Sequence, residues 1–123
     1  MIIMWLFIFI LFLLCWLFVF IKPTIVKVEH LPLSEHFKAI AIGPFVFTKL
    51  PLSLREKAHE FRHIKQQRWL SPWLFYFLYV LIFLYYRFVG ESFFHAYWKI
   101  PFEKDARRYE TIYTQEDYYF KYL

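Results

Sequence analysis

The chain has 123 residues, of which 60% are hydrophobic and 26% aromatic, and a formal net charge of +5. This length allows one domain, and the aromatic content is typical of a protein in or on a lipid bilayer rather than of a soluble domain. Acidic and basic residues are mixed from Lys22 onward, which excludes a basic nucleic-acid-binding arm and predicts a cationic surface beside anionic lipid headgroups. The single cysteine, Cys15, cannot form an intrachain disulfide and is interpreted as an apolar packing residue.

The first segment, residues 2–21, contains no charge, glycine or proline. Twenty helical residues cover ~30 Å, the hydrocarbon thickness of a bilayer. A cleaved signal peptide would need a basic start and small residues before a cleavage site, which the sequence lacks, so we predict a retained transmembrane anchor over residues 1–22. Lys22, Lys27 and Lys38 follow it, and the positive-inside rule then predicts a single-pass protein with its remaining chain in the cytoplasm.

Two segments after the anchor are predicted to be strands. Residues 24–29 alternate and are rich in β-branched side chains. Residues 39–49 form the second segment, in which Gly43 and Pro44 indicate a bulge or a turn. Together the two segments predict a short β-hairpin or a sheet edge.

A helix is predicted over residues 54–69. Ser53 and Glu56 form the Ser-x-x-Glu capping box that favours a helix start. The helix is expected to stop at Ser71, because a residue before a proline avoids the helical conformation.

His59, Glu60 and His63 form a His-Glu-x-x-His motif within this helix. Residues four apart lie on one helix face, so both imidazoles can bind one Zn²⁺. Glu60 is then placed to act on a water activated by the metal, first as general base and then as general acid to the leaving amine. Gln66 extends the same face. A chance match on a polar helix face is the alternative interpretation.

A catalytic zinc takes three protein ligands and leaves a fourth position for water. Gln66 and Trp69 occupy the glycine and final histidine positions of the metzincin motif, which excludes that arrangement. Glu103 lies in the first turn of a helix predicted to begin at Pro101, whereas Asp105 lies ~200° around that helix from Glu103 and is expected to point away. A carboxylate is favoured as the third ligand. The downstream candidates for the third ligand are Glu91, His95, Glu103, Asp105, Glu110, Glu116 and Asp117.

The segment His59-Glu60-Phe61-Arg62-His63-Ile64-Lys65-Gln66 resembles the HExxHxxQ helix of minimal gluzincins. The segment Pro101-Phe102-Glu103-Lys104-Asp105-Ala106 resembles the PxExxA segment that follows it in small bacterial and phage members. Its Glu-x-x-Ala spacing is also similar to that of the membrane gluzincins that include CAAX prenyl proteases. The resemblance implies a zincin-like fold, metallopeptidase activity and Glu103 as the third zinc ligand. The position of Glu103 in the first turn of its helix agrees with this assignment, and His95 is the second candidate among the downstream residues.

Two positions depart from the pattern of that family. Asp105 stands where a second glutamate is common, and Arg107 stands where the membrane proteases usually carry an aspartate that supports a zinc-binding histidine. Another acceptor must then orient a ligand histidine. Glu110 is the candidate, because it lies seven residues after the predicted third ligand and on the same helix face, and Gln66 is a further supporting candidate.

The apolar segment over about residues 73–89 has two interpretations, a second transmembrane crossing and a helix at the membrane interface. A crossing would carry the chain ~30 Å away from His63. Only fifteen residues separate Phe88 from Glu103, which must return to the metal. The metal site and the four tyrosines of this segment therefore favour a helix that lies on or dips into the interface, with a turn at Gly90.

The sequence predicts an α+β fold, with a zincin-like minimal metallopeptidase domain at residues 23–123. The predicted function is a Zn²⁺-dependent peptidase that acts on a peptide or protein substrate near membrane lipid, without a nucleic-acid partner. The alternatives are a non-enzymatic small membrane protein with a structural or accessory role, and a catalytically silent zinc-binding protein. Oxyanion or substrate contacts remain open among four candidates: His95, Tyr97, Tyr109 and Tyr113.

Overall fold

The computed structural model of the protein describes residues 1–31 and 37–112. The fold is α+β, as predicted, and mostly helical around a small three-stranded sheet. Its elements in chain order are α1 (Ile2–Phe18), β1 (Thr24–Lys27), β2 (Ala39–Ile42), β3 (Phe45–Thr48), α2 (Leu54–Leu70), α3 (Pro72–Phe88), α4 (Phe93–Lys99) and α5 (Pro101–Ile112).

Helix α1 is apolar and largely exposed, but it is shorter than the predicted anchor. It contains 17 residues and ends at Phe18, after which backbone N–H groups bond three residues back in a turn. Within residues 1–31 and 37–112, no single helix is long and apolar enough to cross a membrane. Helices α2 and α3 pass that test only as a pair, and they are bent by 112°. A transmembrane anchor over residues 1–22 therefore stays a prediction.

The C-terminal end of α1 is attached to the rest of the fold. The Trp16 indole donates to the carbonyl of Arg68 at 2.8 Å, and the Arg68 guanidinium donates to the carbonyl of Val19 at 3.0 Å. A cation is favourable at the end of a helix, where carbonyls lack intrahelical partners. Val19 is fully buried in the same core as Val46 and Phe61. The end of α1 is thus part of the core and not a loose tether.

The sheet corrects the predicted pairing of the strands. The antiparallel hairpin lies wholly within the second predicted segment, between β2 and β3, where Gly43 has a φ of 58° that suits a tight turn. Strand β1 pairs with β3 in parallel, with Thr24 opposite Phe45, so the strand order is β1-β3-β2. Two parallel strands need a crossover connection between them. The alternation of side chains along a strand does not reveal which neighbour such a connection gives it.

Helix α2 begins with the predicted capping box, in which the Ser53 hydroxyl accepts from the Glu56 N–H at 3.2 Å and the Glu56 carboxylate accepts from the Ser53 N–H at 2.8 Å. The break between α2 and α3 falls at Ser71, directly before Pro72, as predicted. Ala58, Phe61 and Ile64 bury one face of α2 in the core. The same helix turns its histidines toward α5.

The chain returns to α2 through α4 and α5. Gly90, with a φ of 99°, follows α3, and Ser92 caps α4 by accepting from the His95 N–H at 3.2 Å. Helix α5 begins at Pro101, as predicted. Ala106 is fully buried, and its small side chain allows α5 to lie close against α2. This packing places the first turn of α5 beside the histidines of α2.

Candidate metal centre

His59 and His63 lie one helical turn apart on α2 and face the same centre. Their Nε2 atoms are 3.2 Å apart, and their rings meet edge to face at a centroid distance of 4.9 Å. The spacing of four residues accounts for this arrangement, because such residues are neighbours on one helix face. Both rings therefore direct the same nitrogen to one point.

Glu103 completes the group from α5. Its Oε2 atom lies 2.9 Å from His59 Nε2, its Oε1 atom lies 3.1 Å from His63 Nε2, and the side chain is 3% exposed. One ligand atom from each of the three residues lies within 4.8 Å of the others. This buried group of two imidazoles and a carboxylate could hold a metal ion.

Both imidazoles are held from behind by hydrogen bonds at Nδ1. His59 Nδ1 lies 2.9 Å from Glu110 Oε2, and His63 Nδ1 lies 2.9 Å from Gln66 Oε1. The Gln66 amide NH₂ donates to the Phe102 carbonyl at 3.0 Å, which leaves its oxygen for the histidine. Such partners fix the tautomer and the orientation of a ligand histidine, so each Nε2 is left free toward the centre.

Asp105 was predicted to point away from the site, but the close packing of α2 and α5 brings it into contact with α2. It does not join the three converging side chains, but it accepts from the Gln66 amide at 2.8 Å and from Arg62 Nε at 2.7 Å. The Arg62 guanidinium in turn lies 4.6 Å from the centre of the Tyr109 ring and 4.7 Å from that of Trp69. Asp105 therefore supports the orientation of Gln66, a role that its angle on the helix did not indicate.

Tyr79 is a site residue that the sequence analysis missed. Its hydroxyl donates to Glu103 Oε1 at 2.7 Å, and burial, followed by the nearby Glu103 carboxylate, raises the pKa of Tyr79. The hydroxyl thus stays a donor to the carboxylate. No sequence signal identified this residue, since four tyrosines on α3 were all consistent with an interfacial helix.

The electrostatics of the group favour a proton or a cation at its centre. Burial opposes ionisation of Glu103, but His63 and His59 hold the pKa of this carboxyl well below its usual value. Burial alone would lower the pKa of His63, but Glu103 raises that pKa to about 9. A proton at the centre therefore occupies the place that a metal ion would take.

Glu60 lies beside the three converging residues without joining them, and it lines two neighbouring cavities. Burial raises the pKa of the Glu60 carboxyl, although His63 and His59 act to lower it. A carboxyl with a raised pKa is a better proton donor than an ordinary carboxyl and can still accept a proton when it is ionised.

The remaining predicted residues divide into those near Glu60 and those away from it. Tyr97 lines both cavities, and burial raises its pKa, with Glu103 adding to the effect. His95 is away from the centre, because its side chain is 74% exposed and its ring lies 3.8 Å from Glu91. Tyr109 packs on Arg62 and the core. Tyr113, Glu116 and Asp117 lie outside the described residues.

Comparison with known proteins finds no family model that matches the chain, no matching curated protein and no matching solved structure. The metal-binding capacity of the site is therefore argued from its geometry.

Proposed function

We propose that the protein is a zinc-dependent peptidase of the gluzincin type, with His59, His63 and Glu103 as the metal ligands. The observation that carries this proposal is the convergence of the three side chains within 4.8 Å, directly beside Glu60. Two histidines four residues apart with an adjacent glutamate are the arrangement that metal-assisted hydrolysis requires.

Zinc fits this set of donors. Two neutral imidazoles and one carboxylate are ligands that zinc accepts in catalytic sites, where three protein ligands leave one position open. When bound there, zinc supplies Lewis acidity and makes water reactive at neutral pH. Glu110, Gln66 and Tyr79 each hold one ligand side chain in place, which supports a preformed site.

Glu60 is the proposed catalytic residue. As general base it accepts a proton from the attacking water, and as general acid it delivers that proton to the leaving amine. Its raised pKa supports this double role, because a carboxyl that stayed fully ionised would be a poor proton donor. Tyr97 is the candidate for contact with the substrate carbonyl, since it lines both cavities beside Glu60.

The proposed location is a membrane surface on the cytoplasmic side. Helix α1 is apolar and largely exposed, and the outer face of α3 adds further exposed aromatic and aliphatic side chains. Contiguous apolar surface of this kind marks contact with lipid or protein. Lys22 and Lys27 after α1 support the cytoplasmic orientation.

The test is the zinc content and the peptidase activity of the purified protein and its variants. We expect about one zinc per chain, lost in His63→Ala and reduced in Glu103→Ala, because each substitution removes a ligand. Glu60→Gln should keep the zinc and lose the turnover of a generic peptide substrate. His95→Ala is the matched control, since this histidine is exposed and lies away from the centre.

Absence of zinc in the wild type after zinc addition would refute the metal site. Full zinc in Glu103→Ala would refute the third ligand alone. Retained turnover in Glu60→Gln would refute the assigned chemistry.

A further inference from the structure

Two cavities of different character meet at Glu60. The larger has a volume of ≈ 390 Å³ and lies among β2, α3 and α4, and the smaller has a volume of ≈ 240 Å³ and lies among β2, α2 and α4. We call them the apolar cavity and the charged cavity. Both are lined by Phe37, Ala39, Glu60, Phe93 and Tyr97. An extended peptide substrate that passes Glu60 would therefore place the residues on one side of the reacting bond in one cavity and those on the other side in the second cavity.

Among the described residues that line the apolar cavity, charged groups lie only at its metal end. His63, Glu103 and Glu60 lie there. Beyond them, its described lining consists of aromatic and aliphatic side chains, with the hydroxyls of Tyr76 and Tyr79 bonded to Ala41 and Glu103. The main side chains of this lining are Ile40, Phe75, Val80, Phe83 and Leu84. Away from Glu60 and Tyr97, the described lining offers a polar substrate residue few hydrogen-bond partners, whereas a bulky apolar residue gains by leaving water.

The charged cavity also has apolar lining, including Leu52 and Phe94, but it differs because an ion pair lies on its wall away from the metal end. Lys38 and Glu56 form an ion pair at 2.6 Å on its wall, and both side chains are more than one third exposed. Glu110 lies at the metal end of this cavity, 2.9 Å from His59 and 3.3 Å from Arg55. Partly hydrated charges of this kind accept polar residues at small cost, since no buried polar group is left without a partner.

The apolar cavity also opens onto an exposed apolar surface. Val80 and Leu84 line the cavity and are 52% and 56% exposed. Leu81, Tyr85 and Phe88 continue this surface along α3, and Phe88 is 91% exposed. Surface of this type fits lipid, and an apolar segment can pass from it into the cavity without entering water.

We propose that the site selects the boundary between an apolar and a polar segment of its substrate. Bulky apolar residues on one side of the scissile bond occupy the apolar cavity, and polar residues on the other side occupy the charged cavity. The end of a membrane-embedded apolar segment of another protein has this chemistry. The inference rests on the proposed function, because Glu60 marks the reacting position between the two cavities.

The first test compares two fluorescein-labelled peptides of equal composition. In the block peptide, Leu and Phe residues precede Ser and Lys residues, and in the alternating peptide the same residues are interspersed. Binding of each peptide is measured with the zinc-loaded Glu60→Gln variant in detergent micelles, because this variant is expected to bind without cleavage. Micelles without protein are the control for partition of the peptides into detergent. We expect the block peptide, in one of its two sequence directions, to bind at least ~tenfold more tightly.

The second test fills the apolar cavity. Val80→Trp places a large side chain at the opening of the cavity and should remove the preference for the block peptide. Leu81→Trp is the matched control, because Leu81 is equally exposed at 52%, is adjacent on α3, and does not line either cavity. Zinc content should be unchanged in both variants, since neither residue contacts a ligand.

Equal binding of the two peptides, no measurable binding of either, or equal effects of Val80→Trp and Leu81→Trp would overturn this inference. If zinc content and turnover follow the expectations for His63, Glu103 and Glu60, such a result leaves the proposed peptidase intact. If the zinc content and turnover of those variants contradict the expectations while the block peptide still binds more tightly, the peptidase is rejected. The contrasting specificity of the two cavities is then retained.

Discussion

At the scale of single residues, the candidate metal centre depends on the side chains behind the ligands. Glu110 and Gln66 each accept from a ligand imidazole at 2.9 Å, and Tyr79 donates to Glu103 at 2.7 Å. These contacts decide which atoms are free to bind a metal ion. The departure from the gluzincin pattern at Arg107 is compatible with this site, since Glu110 already lies against His59.

Tyr79→Phe tests the role of the hydroxyl on Glu103. The substitution keeps the ring and removes the hydrogen bond, so Glu103 is freer to rotate. We expect zinc affinity to fall by about 10–100-fold, the usual effect of losing a group that orients a ligand. Competition with a chromogenic chelator measures this affinity. Tyr85→Phe, on the exposed face of the same helix, is the control and should leave it unchanged, and an equal affinity in both variants would contradict the role.

At the scale of elements, the site is formed by the contact between α2 and α5. Helix α2 is set by the Ser53–Glu56 capping box and the break at Ser71, and α5 by Pro101. Both helices were predicted from local signals. Their mutual position depends instead on small buried side chains at the contact, of which Ala106 is one.

Ala106→Leu tests this close packing. The larger side chain has no space between α5 and α2, and overpacking of this kind costs about 1–3 kcal/mol. Glu103 would move with α5, so both the unfolding temperature and the zinc affinity should fall. Thermal unfolding followed by circular dichroism, together with chelator competition, checks both. Lys104→Leu, an exposed position on the same helix, should change neither, and unchanged zinc affinity in Ala106→Leu would contradict the argument.

At the scale of the whole molecule, the protonation of the centre links stability to pH. In the metal-free protein, Glu103 raises the pKa of His63 from its usual 6.5 to about 9. The stability that this protonated histidine contributes is complete below 6.5 and is lost as pH rises through about 9. Glu60, whose pKa is also raised, acts in the same direction. Bound zinc requires neutral histidines, so its stabilisation increases with pH.

The unfolding temperature should therefore fall from pH 6.5 to 9 without zinc, and the increase produced by zinc should grow over the same range. Thermal unfolding with zinc and with a chelator at several pH values measures both trends. His63→Ala should remove the effect of zinc and most of the pH dependence. A zinc effect that is constant between pH 6.5 and 9 would contradict the proposed exchange of a proton for the metal.

Local sequence signals predicted much of the fold and part of the site. The spacing of His59 and His63 has a geometric meaning on any helix, and the capping box and Pro101 locate two helix starts. Strand pairing was not predictable, because alternation identifies a strand but not its neighbour, and β1 pairs with β3 across the sheet. The contact of Tyr79 with Glu103 and the support of Gln66 by Asp105 were missed because both join residues that are distant in the sequence.

The sequence by itself determined the α+β character, the helix that carries the histidine pair, and the glutamate between them, since each depends on residues within a few positions. Only the tertiary structure decided how Glu103 meets His59 and His63, which lie 44 and 40 residues earlier, which tyrosine holds it, and that two cavities of unlike character meet at Glu60. These features arise where α2, α3, α4, α5 and β2 pack together, and contacts between distant segments follow from packing rather than from local pattern.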